Sequence, residues 1–521
     1  MTHELPAPAG AELRVEAQEL GRRHLRGSTL LLAGRLLSIL LTVATQVIIV
    51  RTTTKEGFGA FALALTIASA SRLLLSLGQG KTLSRFLAID VEEQAWGRLF
   101  GSVLIAAGTV LALGGALLAT LFLLRDQLDG TIVDGRTAVT VLLIVVLLAP
   151  LEALDQVFVS VFAVLTRPSA IFWRKYLFTP GLRLVVVVAV ALAHGTILTL
   201  AVGYVAAQLL GVLLYVAMLR GVLAKHGLLG ELRWSSLSWP FRSVVTFALP
   251  MLSAELVYLS MNTVSVLVLS ATWGTVEVAD LRAIIPAVTL NKIVYSTFVT
   301  LYLPMASRLF ARGDHRALLD DYWRTAAFLA VMSFPVFAMT GPFALATTVT
   351  LFGERYESSA VLLSVMAIGY YLNSALGFNL VTLQAYGRVK VLFAINVVCA
   401  VGNLVLVLVL VPDLGAMGVA VATSVTLLAQ NALNQWALRR ATGSPWVDRR
   451  YWRTYGSLAA ATVGLVAVQL WFQPGAVAAV VWTGLVGLLL VVVNRSALQL
   501  AESFPELLRV PGVRWIVAGR R

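Results

Sequence analysis

Residues 66–80 read TIASASRLLLSLGQG, and the reading of this stretch turns on Arg72. The arginine sits in an apolar run, about two helical turns from the nearest loop. At mid-bilayer depth such a residue costs ~2.5–3.5 kcal/mol on insertion scales, so intramembrane charge is either paired or functional. Composition says that the run does lie in a membrane. Of 521 residues, 59% are hydrophobic and 13% are charged, against about 25% charged in soluble domains. Runs near the ~20 residues needed to cross a bilayer recur along the whole chain. Read between charged loops, they number fourteen, and the fold class is an all-α integral membrane protein. Met1–Gly27 is polar and charged, so the first span is expected to serve as the insertion signal in place of a cleaved leader.

The net charge of +14 does not imply a nucleic-acid partner. Most of the 40 Lys and Arg residues fall on the side of the N-terminal segment, which is the positive-inside pattern. It places the chain as a multi-pass protein of the cell (cytoplasmic) membrane, with both termini cytoplasmic and anionic lipids as partners. A lone cysteine, Cys399, excludes a disulfide framework, and the five histidines show no ligand spacing. No metal site and no cofactor are expected.

The intramembrane charges reveal a repeat. A shift of 220 residues places Arg35 on Glu255 and Arg72 on Lys292. Arg35, Ser38, Thr42 and Thr45 share one helix face, and so do Glu255, Tyr258, Asn262 and Ser265. Ser69, Arg72 and Ser76 match Thr289, Lys292 and Ser296. Two homologous six-helix bundles, related by a parallel repeat, account for the pattern. The expected division is a cytoplasmic N-terminal segment (1–27), a first bundle (28–219), a cytoplasmic linker (220–243) and a second bundle (244–437). A cytoplasmic loop (438–455), two further transmembrane helices (456–494) and an interfacial tail (495–521) follow. The polar stripes, with Gln46, are expected to line a wet cavity between the bundles.

In span 4 (138–165), PLEALDQ carries Glu152, Asp155 and Gln156 on one face. The acids have two readings: pairing with Arg35 or Arg72, or binding a coupling Na+ or H+. The matching helix of the second half has no acid but holds Tyr370, Asn373 and Asn379. Arg183, in span 5 (177–194), is read as structural. RLFARGDHRALLDDYWR, residues 308–324, is expected to form a short interfacial helix with Leu309, Phe310, Leu318 and Leu319 toward lipid, and the C-terminal tail to lie on the membrane similarly.

GRLLSILLTVATQVIIVRTTTKEGFGAFALALTIAS (34–69), followed by LGQGKTLSRFLA (77–88), resembles the opening of polysaccharide flippases of the multidrug/oligosaccharidyl-lipid/polysaccharide (MOP) exporter superfamily. LFGERYESSAVLLSVMAIGYYLNS (351–374) and LQAYGRVKVLFAINVVCAVGNLVLVLVLVPDLGAMGVAVATSV (383–425) resemble its second half. The likeness covers roughly residues 27–440; the last two spans fit in number only. It implies two six-helix bundles in a V around a central cavity, plus two extra helices. It also implies flipping of a polyprenyl-diphosphate-linked oligosaccharide by alternating access, for surface polysaccharide or envelope glycan synthesis. Arg35, Arg72 and Lys292 stand where the resemblance places cations for the diphosphate. Ser38, Thr42, Gln46, Ser76, Glu152, Asp155, Glu255, Tyr258, Asn262, Ser296 and Asn373 are candidates for sugar contacts or coupling. Asn262 departs from the acid that relatives often carry there. The implied protein is a monomer, with glycosyltransferases or a polymerase of the same pathway as further partners.

Three rival readings remain. A lipid II flippase shares the fold and the chemistry. A cation-coupled multidrug exporter is disfavoured by Arg35, Arg72 and Lys292. A membrane glycan polymerase or ligase is disfavoured because the longest outer loop, Arg125–Arg136, is short and lacks histidine.

Overall fold

The computed structural model describes residues 34–76, 83, 87, 89–128, 130, 135–165, 172–225, 260–376 and 378–498. Among these the regular structure is helical and no strand occurs. Among the described residues, thirteen helical stretches are long and apolar enough to cross a membrane. One of them, Asn262–Val299, is broken at Gly274, whose φ of 78° and ψ of −175° suit a residue without a Cβ. The limb before the break, 262–273, is shorter than a full span, and the count is consistent with the about fourteen helices expected from the sequence.

The helices are α1 (Gly34–Thr52), α2 (Lys55–Ser76), α3 (Trp96–Leu123), α4 (Arg136–Val164), α5 (Phe172–Leu192) and α6 (Ile197–Lys225). They continue as α7 (262–273), α8 (275–311), α9 (His315–Thr340) and α10 (Ser359–Ala385). The last four are α11 (Val389–Leu414), α12 (Ala416–Thr442), α13 (Arg449–Phe472) and α14 (Ala476–Leu498).

The chain forms two compact units. The first holds residues 1–49, 64–127 and 136–255; the second holds 50–63, 128–135 and 256–521. The division expected from the sequence puts 50–63 in the first bundle. These residues group with the second unit because their polar side chains are used there. Lys55 Nζ donates to Asp280 Oδ1 at 2.8 Å, and Arg51 Nε donates to the Leu351 carbonyl at 2.9 Å. Helices α13 and α14 also belong to the second unit. Its core is aromatic around Phe334, Phe337, Tyr371 and Phe378, with the Phe337 and Tyr371 rings stacked at 4.3 Å.

Residues 308–324 correct one expectation. They do not form a separate interfacial helix. Helix α8 runs on through Ala311, Gly313 turns the chain at φ 73°, and Asp314 accepts the Ala317 N–H at 3.0 Å as the N-cap of α9. Leu318 is buried within the second unit instead of facing lipid. The C-terminal stretch 499–521, expected to lie on the membrane, is outside the described residues.

Candidate functional site: a charged cavity in the first unit

Four helices of the first unit, α2, α4, α5 and α6, bring ionisable groups together. In α4, Pro150 falls in the first turn of the segment Leu148–Val164, where its missing N–H breaks no intrahelical bond. Glu152, Asp155 and Gln156 follow on one face. Helix α5 opens with a π-helical turn, Phe172–Phe178, that carries Arg174 and Lys175. Such turns occur often at functional sites. On α6, Tyr204, Gln208, Gly211 and Tyr215 recur at i, i+4, i+7 and i+11, a single helix face.

These faces meet as a ladder. Arg183 Nη2 donates to Glu152 Oε1 at 2.8 Å and to Gln208 Oε1 at 3.0 Å, and its guanidinium lies over the Tyr204 ring at 5.3 Å. One level along, Arg174 forms an ion pair with Asp155, donates from Nε to the Gly211 carbonyl at 3.0 Å, and stacks 4.3 Å from the Tyr215 ring. Arg174 is 1% exposed. A Cβ built at Gly211 would lie 2.6 Å from Arg174 Nη2, so glycine makes room for the guanidinium. From α2, Arg72 Nε approaches Glu152 Oε2 at 3.5 Å, an ion pair longer than a good hydrogen bond.

Together these groups surround a cavity of about 330 Å³. Its wall includes Ser38, Thr42, Thr45 and Ser69, then Arg72, Glu152, Asp155 and Gln156, and Arg174, Lys175, Thr179, Arg183, Tyr204 and Gln208. Four cations therefore face two carboxylates. That volume is at the low end of the ~300–1,000 Å³ of small-ligand pockets, enough for a charged head group and too little for an oligosaccharide with its lipid.

Of the residues named from the sequence, Ser38, Thr42, Thr45, Ser69, Arg72, Glu152, Asp155, Gln156 and Arg183 come together here. Arg35 is exposed on α1, one turn before Ser38, and is not part of the cavity wall. Gln46 is half-buried away from the wall, and the Ser76 hydroxyl donates to the Leu73 carbonyl of its own helix. Neither acid pairs with Arg35, and Asp155 takes Arg174, a residue that the sequence reading leaves outside the spans. In the second unit, Lys292 Nζ lies 4.3 Å from the centre of the Tyr370 ring. Ser296 donates to the Ile293 carbonyl, and Asn373 donates to the Leu427 carbonyl on α12 at 3.3 Å. Asn262 is exposed within a π-helical turn, Ser260–Val264. Glu255 and Tyr258 lie outside the described residues. Arg174, Lys175, Thr179, Pro180, Tyr204 and Gln208 are the wall residues that sequence reasoning missed.

Comparison with known proteins bears on this arrangement. The sequence model of a family described as polysaccharide biosynthesis protein matches residues 24–310, more than half the chain. No curated protein matches. Among solved structures, the lipid II flippase MurJ in an inward closed conformation is similar with a TM-score of 0.69, at 14% identity over 92% of this chain and 100% of that one. An inward-facing multidrug resistance MATE family transporter of the MOP superfamily gives 0.63, at 14% identity over 78% of this chain and 94% of that one. A MOP superfamily transporter from Pyrococcus furiosus Vc1, described by the reverse polarity of its binding pocket, gives 0.56 at 14% identity over 81% and 95%. At these identities the likeness is one of fold, and the fold is that of membrane transporters.

Proposed function

The chain belongs to the polysaccharide biosynthesis protein family, and from that premise we propose that it flips a polyprenyl-diphosphate-linked oligosaccharide across the cytoplasmic membrane by alternating access. The observation that carries this reading is the excess of cations in the first unit's cavity, where Arg72, Arg174, Lys175 and Arg183 face only Glu152 and Asp155. A diphosphate must leave water to cross hydrocarbon. Guanidinium groups suit it, because their planar fork makes charge-assisted, bidentate hydrogen bonds to phosphate oxygens. The hydroxyls of Ser38, Thr42 and Ser69 offer partners to the first sugar. The same field repels organic cations and so disfavours multidrug export. Coupling through Glu152 or Asp155 is not part of this reading, since arginines hold both acids.

Lipid II as cargo is a second reading, favoured by one observation: the similarity to MurJ spans the full length of that flippase. Both cargoes present the same diphosphate. Full-length protein reconstituted in proteoliposomes tests the choice, with fluorescent lipid-diphosphate oligosaccharide, lipid II and rhodamine 6G as alternative cargoes. Translocation of the oligosaccharide carrier is expected, with no uptake of the organic cation. Arg72→Ala should abolish translocation, and Arg72→Lys should restore part of it. Transport of rhodamine 6G alone defeats the proposal.

A further inference from the structure

The three arginines of the cavity wall each have a partner already. Arg174 is held by Asp155 and the Gly211 carbonyl; Arg183 is held by Glu152 and Gln208. Arg72 shares Glu152 at the longer distance of 3.5 Å. Lys175 differs. Its side chain is part of the wall, yet among the described residues no carboxylate or hydrogen-bond acceptor reaches its ammonium. It lies within electrostatic range of Asp155, which Arg174 already holds, and of three like charges, Arg72, Arg174 and Arg35. A half-buried cation beside other cations is costly unless an anion visits it.

We propose that Lys175 is the residue that first engages the diphosphate in the first unit, and that the arriving anion then draws Arg72 from Glu152, which stays with Arg183. The proposal rests on the flippase reading and adds the identity and order of the contacts. Glu152 pairs with two arginines, so losing the longer of its two contacts leaves it held by Arg183. Arg174, held by Asp155 and the Gly211 carbonyl, anchors the π-helical turn that presents Lys175 and acts as a positioning residue.

Binding of two probes to the purified full-length protein in nanodiscs tests this: farnesyl diphosphate and inorganic diphosphate. Lys175→Met should weaken both by tenfold or more, and Lys175→Arg should stay within threefold of wild type. Because the lysine has no partner to strand among the described residues, Lys175→Met without ligand should melt at or above the wild-type Tm. Unchanged binding by Lys175→Met overturns the inference and leaves the flippase reading standing. A large fall in its Tm, or failure to fold, makes the lysine structural and also overturns the inference. Loss confined to farnesyl diphosphate assigns Lys175 to the hydrocarbon chain and overturns it as well. A wild-type protein that binds neither probe removes both the inference and the reading beneath it.

Discussion

The two units bury polar side chains in different ways. In the first, arginines and carboxylates from α2, α4 and α5 surround an open cavity. In the second, amides make several of the helix-to-helix contacts. Asn379 donates to Asn431 Oδ1 at 3.2 Å, Asn403 donates to Thr426 Oγ1 at 3.1 Å, and Gln430 donates to Asn396 Oδ1 at 2.9 Å. An amide carries both a donor and an acceptor, so two amides on facing helices can satisfy each other and let the helices close. A guanidinium has five donors and no acceptor. One carboxylate cannot saturate it, and donors are left facing space. The polar groups on the first unit's cavity wall thus leave donors uncompleted, whereas these amide contacts of the second unit complete one another.

The largest effect should come from breaking the ladder of the first unit. Arg174→Met leaves Asp155 buried without its counter-charge, and breaking a buried pair costs about 3–5 kcal/mol. Chemical unfolding of the protein in mild detergent measures the loss. Replacing both partners, as in Asp155→Leu with Arg174→Met, should recover most of it, because no buried charge is then stranded. A double variant as unstable as the single one would mean that the loss comes from the contacts with Gly211 and Tyr215 instead.

That contrast is partly legible in the sequence. Arg72, Glu152 and Asp155 stand out because each interrupts an apolar run, where charge is expensive. The fourteen spans follow from the same apolar runs, and the break at Gly274 coincides with a short polar gap. Arg174 and Lys175 are hidden by their position. FWRKYLF stands at the mouth of a span, where basic residues normally set topology and snorkel to the headgroups. Only the observed burial separates an interfacial arginine from a core one. A visible signal does exist in the α6 stripe Tyr204, Gln208, Gly211 and Tyr215, a polar and small-residue face with nothing assigned to meet it. Residues 308–324 mislead for another reason. Their amphipathic pattern suits an interfacial helix and suits two helix ends equally, and the Gly313–Asp314 stop and start decides between them.

A smaller effect is expected from Lys292, which a 220-residue shift of the sequence places on Arg72. Its ammonium lies over the Tyr370 ring, an arrangement worth ~0.5–2 kcal/mol according to how dry it is. We propose that it meets the substrate's anion as a secondary contact. Lys292→Met should lower proteoliposome translocation severalfold, whereas Arg72→Ala abolishes it. Equal losses from the two variants would erase the functional difference between the units.

The smallest effect separates packing from transport. Asn373 is a candidate for sugar contact by sequence, yet its side chain donates to the Leu427 carbonyl, and Asn431 donates back to the Asn373 carbonyl at 3.3 Å. These bonds tie α10 to α12. Asn373→Ala removes one of them, and a typical intramolecular hydrogen bond contributes about 0.5–1.5 kcal/mol. The Leu427 carbonyl left behind still accepts from its own helix, so the cost should lie at the lower end of that range. Unfolding should therefore shift slightly while translocation stays near wild type. A severe transport defect at normal stability would instead return Asn373 to the substrate path. The second unit's amides would then share substrate recognition with the charged cavity of the first.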